Sequence, residues 1–295
     1  MPTDVRVCGL MLAYFHAEMT LRCLKTLEHQ GIETLILVDN SADTTEHQRT
    51  RALAQHFPAG WLQVIIAPEN LGFAKGMNLA WQHAQTLGKW DYALILNNDM
   101  EVKPTLVEHL CQHMIANPQT GMVTATTETP HGLQGTNYYH RWTGLLSQRP
   151  VTGSFLFLGG HCLLIRVSAI GKELFDTRYF MYGEDIVLNW RLAQQGWNLT
   201  VLPEVLIKHN SGSSSGNGSF FYEYHINRWH LLIIQTLGKN VIERVIMYSL
   251  RIPLLFIRAM LRSWRFRKMT PLKALGFASF ALPVQHTTPN IGDAP

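Results

Sequence analysis

Apolar residues fall in short runs along the first half of the chain, at 5–12, 34–39, 62–67 and 92–97. Between these runs they recur at helical spacing, as at Leu21, Leu24 and Leu27 and again through 72–87. Strands that alternate with helices predict a parallel sheet with helices on both faces. In such a sheet ligands bind beyond the carboxyl ends of the strands, so the polar residues that matter stand where apolar runs stop. Two clusters stand there. Asp39-Asn40-Ser41 follows Leu35-Ile36-Leu37-Val38, and Asn97-Asn98-Asp99 follows Ala93-Leu94-Ile95-Leu96. Both are expected on one rim.

Further along, Pro104 opens a helix to about Ile115, and 122–126 reads as another strand. From 127 to 154 the periodicity fades into a stretch rich in Gly, Thr and Tyr, expected to be a loop that shapes a site. Residues 155–167 are apolar again, with Gly159-Gly160 inside them, and 185–196 reads as a helix closed by Gly196. Residues 211–219 (SGSSSGNGS) have the composition of a flexible linker or a mobile lid. There is no internal repeat. The expected division is one large domain over 1–238, in two halves at about 1–100 and about 101–238. A basic amphipathic helical region over 239–282 and a disordered tail over 283–295 follow.

Composition changes this picture little, except at the C-terminus. The chain has 295 residues, 46% of them hydrophobic, enough for a full core. A formal charge of +4 gives no reason to expect nucleic-acid binding. The four cysteines show no CxxC spacing and lie in apolar stretches, as reduced core residues of a cytosolic protein would. The first apolar run carries only Arg6 as a nearby cation and no small-residue cleavage site, so it reads as a strand and not a signal peptide. No stretch reaches the roughly 18 apolar residues of a membrane-spanning helix. From Lys239 to Lys273, however, Lys239, Arg244, Arg251, Arg258, Arg262, Arg265, Arg267, Lys268 and Lys273 face only Glu243. Arg251, Arg258, Arg262 and Arg265 recur on one helical face among aliphatic and aromatic residues. Such a helix reads as lying on an anionic membrane; the plainer reading is a helix packed on the main domain with its cationic face in solvent.

A carboxylate at a strand end can hold a hard divalent cation that bridges phosphate oxygens, and Asp99 is placed for that; Asn-Asn-Asp is also good turn chemistry. Glu184-Asp185 starts a helix, where an acid serves as a cap or as a base fixed near a reacting hydroxyl. His209 ends the run Val205-Leu206-Ile207 and is either structural or a further contact to a metal at Asp99.

Taken in order, these pieces resemble a family 2 glycosyltransferase with the GT-A fold, over residues 5 to 235. Asp39 in Val-Asp-Asn-Ser is similar to the family's base-contacting aspartate. The segment Asn70-Leu71-Gly72-Phe73-Ala74-Lys75-Gly76-Met77-Asn78 resembles the one lining its nucleotide pocket, which implies donor contacts from Asn70, Gly72, Lys75 and Asn78, with Asn98 as a further one. Asn97-Asn98-Asp99 stands where the family has its DxD-type metal motif, with Asn97 in place of the first acid. Gly183-Glu184-Asp185 resembles the segment whose second acid is the base. His209 in His-Asn-Ser-Gly-Ser is similar to a metal-coordinating histidine, and Tyr224 with Asn227-Arg228 echoes a C-terminal pattern. After the first strand Ala13-Tyr14-Phe15 departs from the family, and Tyr14 is a candidate to stack on the nucleotide base.

The resemblance implies an α/β fold with a mostly parallel, Rossmann-like sheet. It implies inverting transfer of a sugar from a nucleotide diphosphate by a single displacement, with Asp185 as base, Glu184 beside it, and Mn²⁺ or Mg²⁺ on Asp99 and His209. The donor is expected to be a dTDP- or UDP-sugar, with a rhamnosyltransferase-like role in bacterial polysaccharide synthesis. The acceptor is a glycan or lipid-linked glycan, and the site of action the cytoplasmic face of the cell membrane. The alternatives are a nucleotidyltransferase and a non-catalytic sugar-nucleotide binder at the membrane.

Overall fold

The structure is a computed structural model that describes residues 5–209 and 218–280. It divides into two compact units at residues 214/215. The expectations for 211–219 and for the tail over 283–295 fall wholly or mostly outside the described residues.

The first unit is built on one large sheet. Its strands are β1 (Val7–Ala13), β2 (Thr34–Asp39), β3 (Leu62–Ile66), β4 (Tyr92–Asn97), β5 (Met100–Val102), β6 (Thr120–Thr129), β7 (Gly132–Gln134), β11 (Cys162–Arg166) and β12 (Asn198–His209). The spatial order is β3-β2-β1-β4-β11-β6-β12-β5, with β7 a hairpin partner of β6. The first four strands are parallel. β11 then enters antiparallel between β4 and β6, and β12 runs parallel to β6. The sheet is thus parallel over β1–β4 and mixed beyond them.

Burial explains why the first strands read as unbroken apolar runs. Along β1, β2 and β4, Val7, Met11, Leu35, Leu37, Leu94 and Leu96 join one hydrophobic cluster, while Cys8, Leu10, Ile36, Val38, Ala93 and Ile95 join a second. The sheet therefore buries both faces, as strands covered by helices must. Helices α1 (Ala17–Lys25) and α4 (Leu106–Ala116) supply the first cluster; α3 (Gly72–Leu87) and α5 (Glu184–Gln194) supply the second. Helix α2 (Thr44–Ala52) starts at Asp43, whose side chain accepts from the Glu46 N–H at 2.8 Å. Gly196 follows α5 at φ +86°, the left-handed position expected of a helix stop. All four cysteines are buried and free, as expected.

The expected loop over 127–154 is corrected. It carries the end of β6, β7, and the strands β8 (Asn137–His140) and β9 (Leu146–Ser147), which with β10 (Ser154–Phe157) form a second, antiparallel sheet. These strands are two to four residues long and partly exposed, too short to show a period.

The second unit holds α6 (Phe220–Leu237), α7 (Val241–Phe266) and α8 (Thr270–Phe280). Ser219 and Asn240 cap α6 and α7, accepting from Tyr222 N and Glu243 N. Helix α6, which the sequence reading grouped with the large domain, packs here with α7 and α8 around Leu231, Leu255, Ala259 and Leu275. The outward basic face of α7 is also corrected. Arg251 is buried and donates to the His230 carbonyl, while Arg258 and Arg262 both reach the fully buried Glu223 of α6, at 3.0 and 2.6 Å. An unpaired arginine inside would be costly, and Glu223 offsets two at once. Spacing placed these arginines on one face; the acid decides that the face turns inward.

Candidate active site

Strand register assembles the rim. Ala13 lies opposite Asp39 and Leu12 opposite Asn97, so the ends of β1, β2 and β4 stand side by side. Because β11 is antiparallel, its start arrives at the same rim, with Cys162 opposite Leu96. The end of β12 follows, with His209 opposite Met100.

At the β2 end, Asp39 is fully buried. Its Oδ1 accepts from the Ser41 N–H at 2.9 Å, whereas its Oδ2 is buried without a hydrogen-bond partner in the protein. An acceptor held this way is set to receive a ligand N–H, because leaving it unmet costs about 1–3 kcal/mol. Beside it, Asn40 donates to Asn70 Oδ1 at 2.9 Å and accepts from the Leu71 N–H at 2.8 Å, and Asn70 Oδ1 also accepts from the Gly72 N–H. Gly72 has φ +73°, and a Cβ there would collide with the Phe180 carbonyl oxygen. The Phe73 N–H donates to that same oxygen at 2.7 Å. Within α3, Asn78 exchanges both of its hydrogen bonds with the Phe175 backbone, at 2.8 and 2.9 Å. Asn70, Gly72 and Asn78 thus fasten the start of α3 to the segment leading into Glu184-Asp185, and Asn78 spends its amide on that link. Lys75 stands half-buried on α3. Tyr14 is exposed, edge-on to Phe15, where Phe15 and His16 both have left-handed backbones (φ 58° and 62°), a strained turn at the rim.

At the β4 end, Asn98 donates to Thr20 Oγ1 at 2.9 Å, and Asp99 Oδ2 lies 3.0 Å from His209 Nε2. Asp99 Oδ1 is buried without a protein partner. An imidazole nitrogen and a carboxylate oxygen at this separation fit two adjacent ligands of one octahedral ion with bonds of about 2.1 Å. Among the described residues, no group of three or more His, Cys, Asp or Glu is placed to hold an ion. Asp99 and His209 therefore fit a divalent metal as a two-residue share of its ligands.

The sequence reading missed His161. Its ring stacks on that of His209 (centroids 6.0 Å apart, 4° from parallel), its Nε2 is 2.8 Å from Thr127 Oγ1, and its carbonyl accepts from the Asn97 N–H at 2.9 Å. Burial, with His209 alongside, lowers the His161 pKa to about 4, so the ring is neutral. One residue earlier, the Gly160 N–H donates to Asp185 Oδ2 at 3.0 Å, and the Ile186 N–H donates to Oδ1 at 2.8 Å. Asn189 is fully buried. It accepts from the Leu158 N–H and donates to the Leu158 and Asp185 carbonyls, at 2.8 to 2.9 Å. Asp185, Gly160, His161, His209 and Asp99 thus form one continuous strip.

Glu184 is buried and its pKa is pushed up to about 8, first by burial and then by the Asp185 charge. Burial raises Asp185 as well, against the pull of the Gly160 and Ile186 N–H groups. Glu184 therefore keeps its proton at neutral pH, and Asp185, oriented by the two N–H groups, is the carboxyl placed to act as a base.

The family model described as "Glycosyltransferase like family 2" matches residues 13–231. The chain belongs to glycosyltransferase family 2. This sets aside the nucleotidyltransferase and non-catalytic readings. The transferase is 25% identical over 236 residues to the N-acetylglucosaminyl-diphospho-decaprenol L-rhamnosyltransferase of Mycobacterium tuberculosis, covering 68% of this chain and 74% of that one. Solved GT-A glycosyltransferases share its fold. The mannosyltransferase PcManGT of Pyrobaculum calidifontis, in complex with GDP-Man and Mn²⁺, aligns with TM-score 0.58 at 15% identity over 96% of this chain and 80% of that one. GalNAc-T7 with UDP, GalNAc and Mn²⁺ aligns with TM-score 0.59 at 11% identity, over 84% of this chain and 55% of that one.

Proposed function

We propose that this glycosyltransferase moves a sugar from a nucleoside-diphosphate donor to a lipid-linked glycan acceptor, with inversion and without a covalent enzyme intermediate. The observation that carries the reading is the strip from Asp185 through Gly160 and His161 to His209 and Asp99. It sets a base-capable carboxylate next to a corner suited to diphosphate.

In this reading Asp39 receives the base N–H through its unmet Oδ2, and the Asn40–Asn70–Gly72 bonds shape the pocket floor, with Lys75 and Asn98 facing the donor. Asp99 and His209 hold a divalent ion, Mn²⁺ or Mg²⁺, which when bound supplies positive charge to the departing diphosphate. Asp185, its carboxylate oriented by two backbone N–H groups, takes the proton of the acceptor hydroxyl as that oxygen attacks the anomeric carbon. Glu184 holds the neighbouring proton, so that Asp185 is the ionised member of the pair.

The M. tuberculosis relative, named for rhamnosyl transfer to a decaprenol-diphosphate-linked sugar, supports a rhamnosyl donor and a polyprenyl-diphosphate acceptor; a dTDP-sugar, with a UDP-sugar next, and action at the cytoplasmic face of the cell membrane complete the proposal. Thermal-shift screening of sugar nucleotides with and without Mn²⁺ tests the donor, because a bound ligand stabilises the folded state by mass action. Stabilisation by dTDP-rhamnose only with metal is the expected result, and no sugar nucleotide raising Tm would refute the donor class. Asp185→Asn should abolish transfer while retaining donor affinity; an active Asp185→Asn enzyme would remove Asp185 from the base role.

A further inference from the structure

Helix α7 is inverted relative to an ordinary surface helix. Its buried residues, Met247, Arg251, Leu255, Ala259 and Ser263, recur every fourth position, and Arg258 and Arg262 flank them on Glu223. The face left outside is apolar. Ile246, Phe256, Ile257, Met260, Leu261 and Trp264 are 44–83% exposed, Trp264 the most. With three arginines turned in, the cations still outside bracket this face: Lys239 and Arg244 at one end, Arg265, Arg267 and Lys268 at the other, all exposed. Across 218–280 ten Lys and Arg stand against two acids, Glu223 and Glu243, and Glu223 is consumed inside. An apolar strip between clusters of cations is complementary to a lipid surface with anionic headgroups, which accepts the side chains below and the charges at its own level. A second copy of this chain would instead bring two cationic surfaces together. No helix among the described residues is long and apolar enough to cross a membrane, so the fitting geometry is a helix lying in the interface.

We infer that the α6–α7–α8 unit docks on an anionic bilayer through the apolar face of α7, with Glu223 as the internal counter-charge that keeps the arginines beneath it. This deepens the membrane-side part of the proposed function and rests on it. The contact falls to the apolar face because Arg251, Arg258 and Arg262 are turned inward.

The test is co-sedimentation of the full chain with vesicles of phosphatidylcholine alone or with phosphatidylglycerol, alongside hydrogen exchange of α7. The wild type should bind the phosphatidylglycerol vesicles and gain protection in α7. The triple variant Phe256→Ser/Leu261→Ser/Trp264→Ser should bind more than about tenfold more weakly, since partition scales with apolar area buried. These side chains are exposed, so its circular dichroism and Tm should match the wild type. The variant Arg265→Ser/Arg267→Ser/Lys268→Ser should lose its preference for anionic vesicles and keep residual binding. If the triple apolar variant binds like the wild type while the charge variant does not, the membrane reading stands and the apolar face is refuted. If the wild type binds no vesicle, both fall, while transfer to a soluble acceptor analogue still reports on the enzyme. A wild-type dimer that the apolar variant dissociates, seen by light scattering, would overturn the inference in favour of a second copy.

Discussion

Asn189→Ala gives a direct test of how the base is held. Asn189 is fully buried and makes three hydrogen bonds, two of them to Leu158, which is itself buried. Alanine leaves the Leu158 N–H and C=O without partners in a dry environment. Each unmet group costs about 1–3 kcal/mol, and the Asp185 carbonyl loses only a supplementary bond because it sits within α5. The sum is about 2–6 kcal/mol, toward the lower end if water enters the space. Urea unfolding followed by tryptophan fluorescence measures it as a fall in midpoint at constant slope. The functional consequence is separate. Leu158 lies two residues before Gly160, whose N–H orients Asp185, so freeing that segment should lower kcat more than it raises KM for the donor. Loss of less than about 1 kcal/mol with kcat unchanged would refute the claim that Asn189 positions the base.

Other perturbations follow from the same geometry. Gly72→Ala meets both a left-handed backbone and the Phe180 carbonyl, so it should lower stability by more than about 1 kcal/mol and raise donor KM, read by thermal melting and initial rates. Asp99→Ala should weaken donor affinity only in the presence of Mn²⁺ or Mg²⁺; calorimetry showing equal loss without metal would count against the metal corner. Glu184, raised from 4.5 to about 8, keeps a proton in the folded state that the unfolded chain releases above pH 4.5. Its contribution therefore favours folding most below pH 4.5 and is lost as pH rises toward 8, so Glu184→Gln should flatten the fall in Tm across that window. Glu223→Gln removes one partner of a buried ion pair, a loss of about 3–5 kcal/mol in a dry site. The Arg258 and Arg262 side chains keep 26% and 18% exposure, so about 2–4 kcal/mol is expected, seen as loss of exchange protection in α6 and α7.

What the sequence made legible depends on strand direction. In β2 and β4 the proposed site residues stand where an apolar run stops, and Asp39 and Asp99 are found by that rule because both strands run toward the rim. β11 runs the other way, so the rim receives the beginning of its apolar run: Gly160 and His161 stand just before Cys162. Read forward, those residues look like an interior Gly-Gly break and a stray histidine. Because the apolar stretch reads as continuous from 155 to 167 although it holds two strands, β10 and β11, the start of β11 and His161 before it are hidden inside it. Direction itself was not legible, since β11 pairs with β4 across more than 60 residues and takes its place only once β6 is present on its other side. Helix α7 fails for a parallel reason. Seven-four spacing puts Arg251, Arg258 and Arg262 on one face, and Glu223, in another helix, fixes where that face points, while Arg265, the fourth of the expected set, stays exposed. Without that acid the buried arginines would be too costly and the basic face would turn to solvent. In both places a long-range partner, absent from the local pattern, determines which residues of a segment reach the rim or the interior.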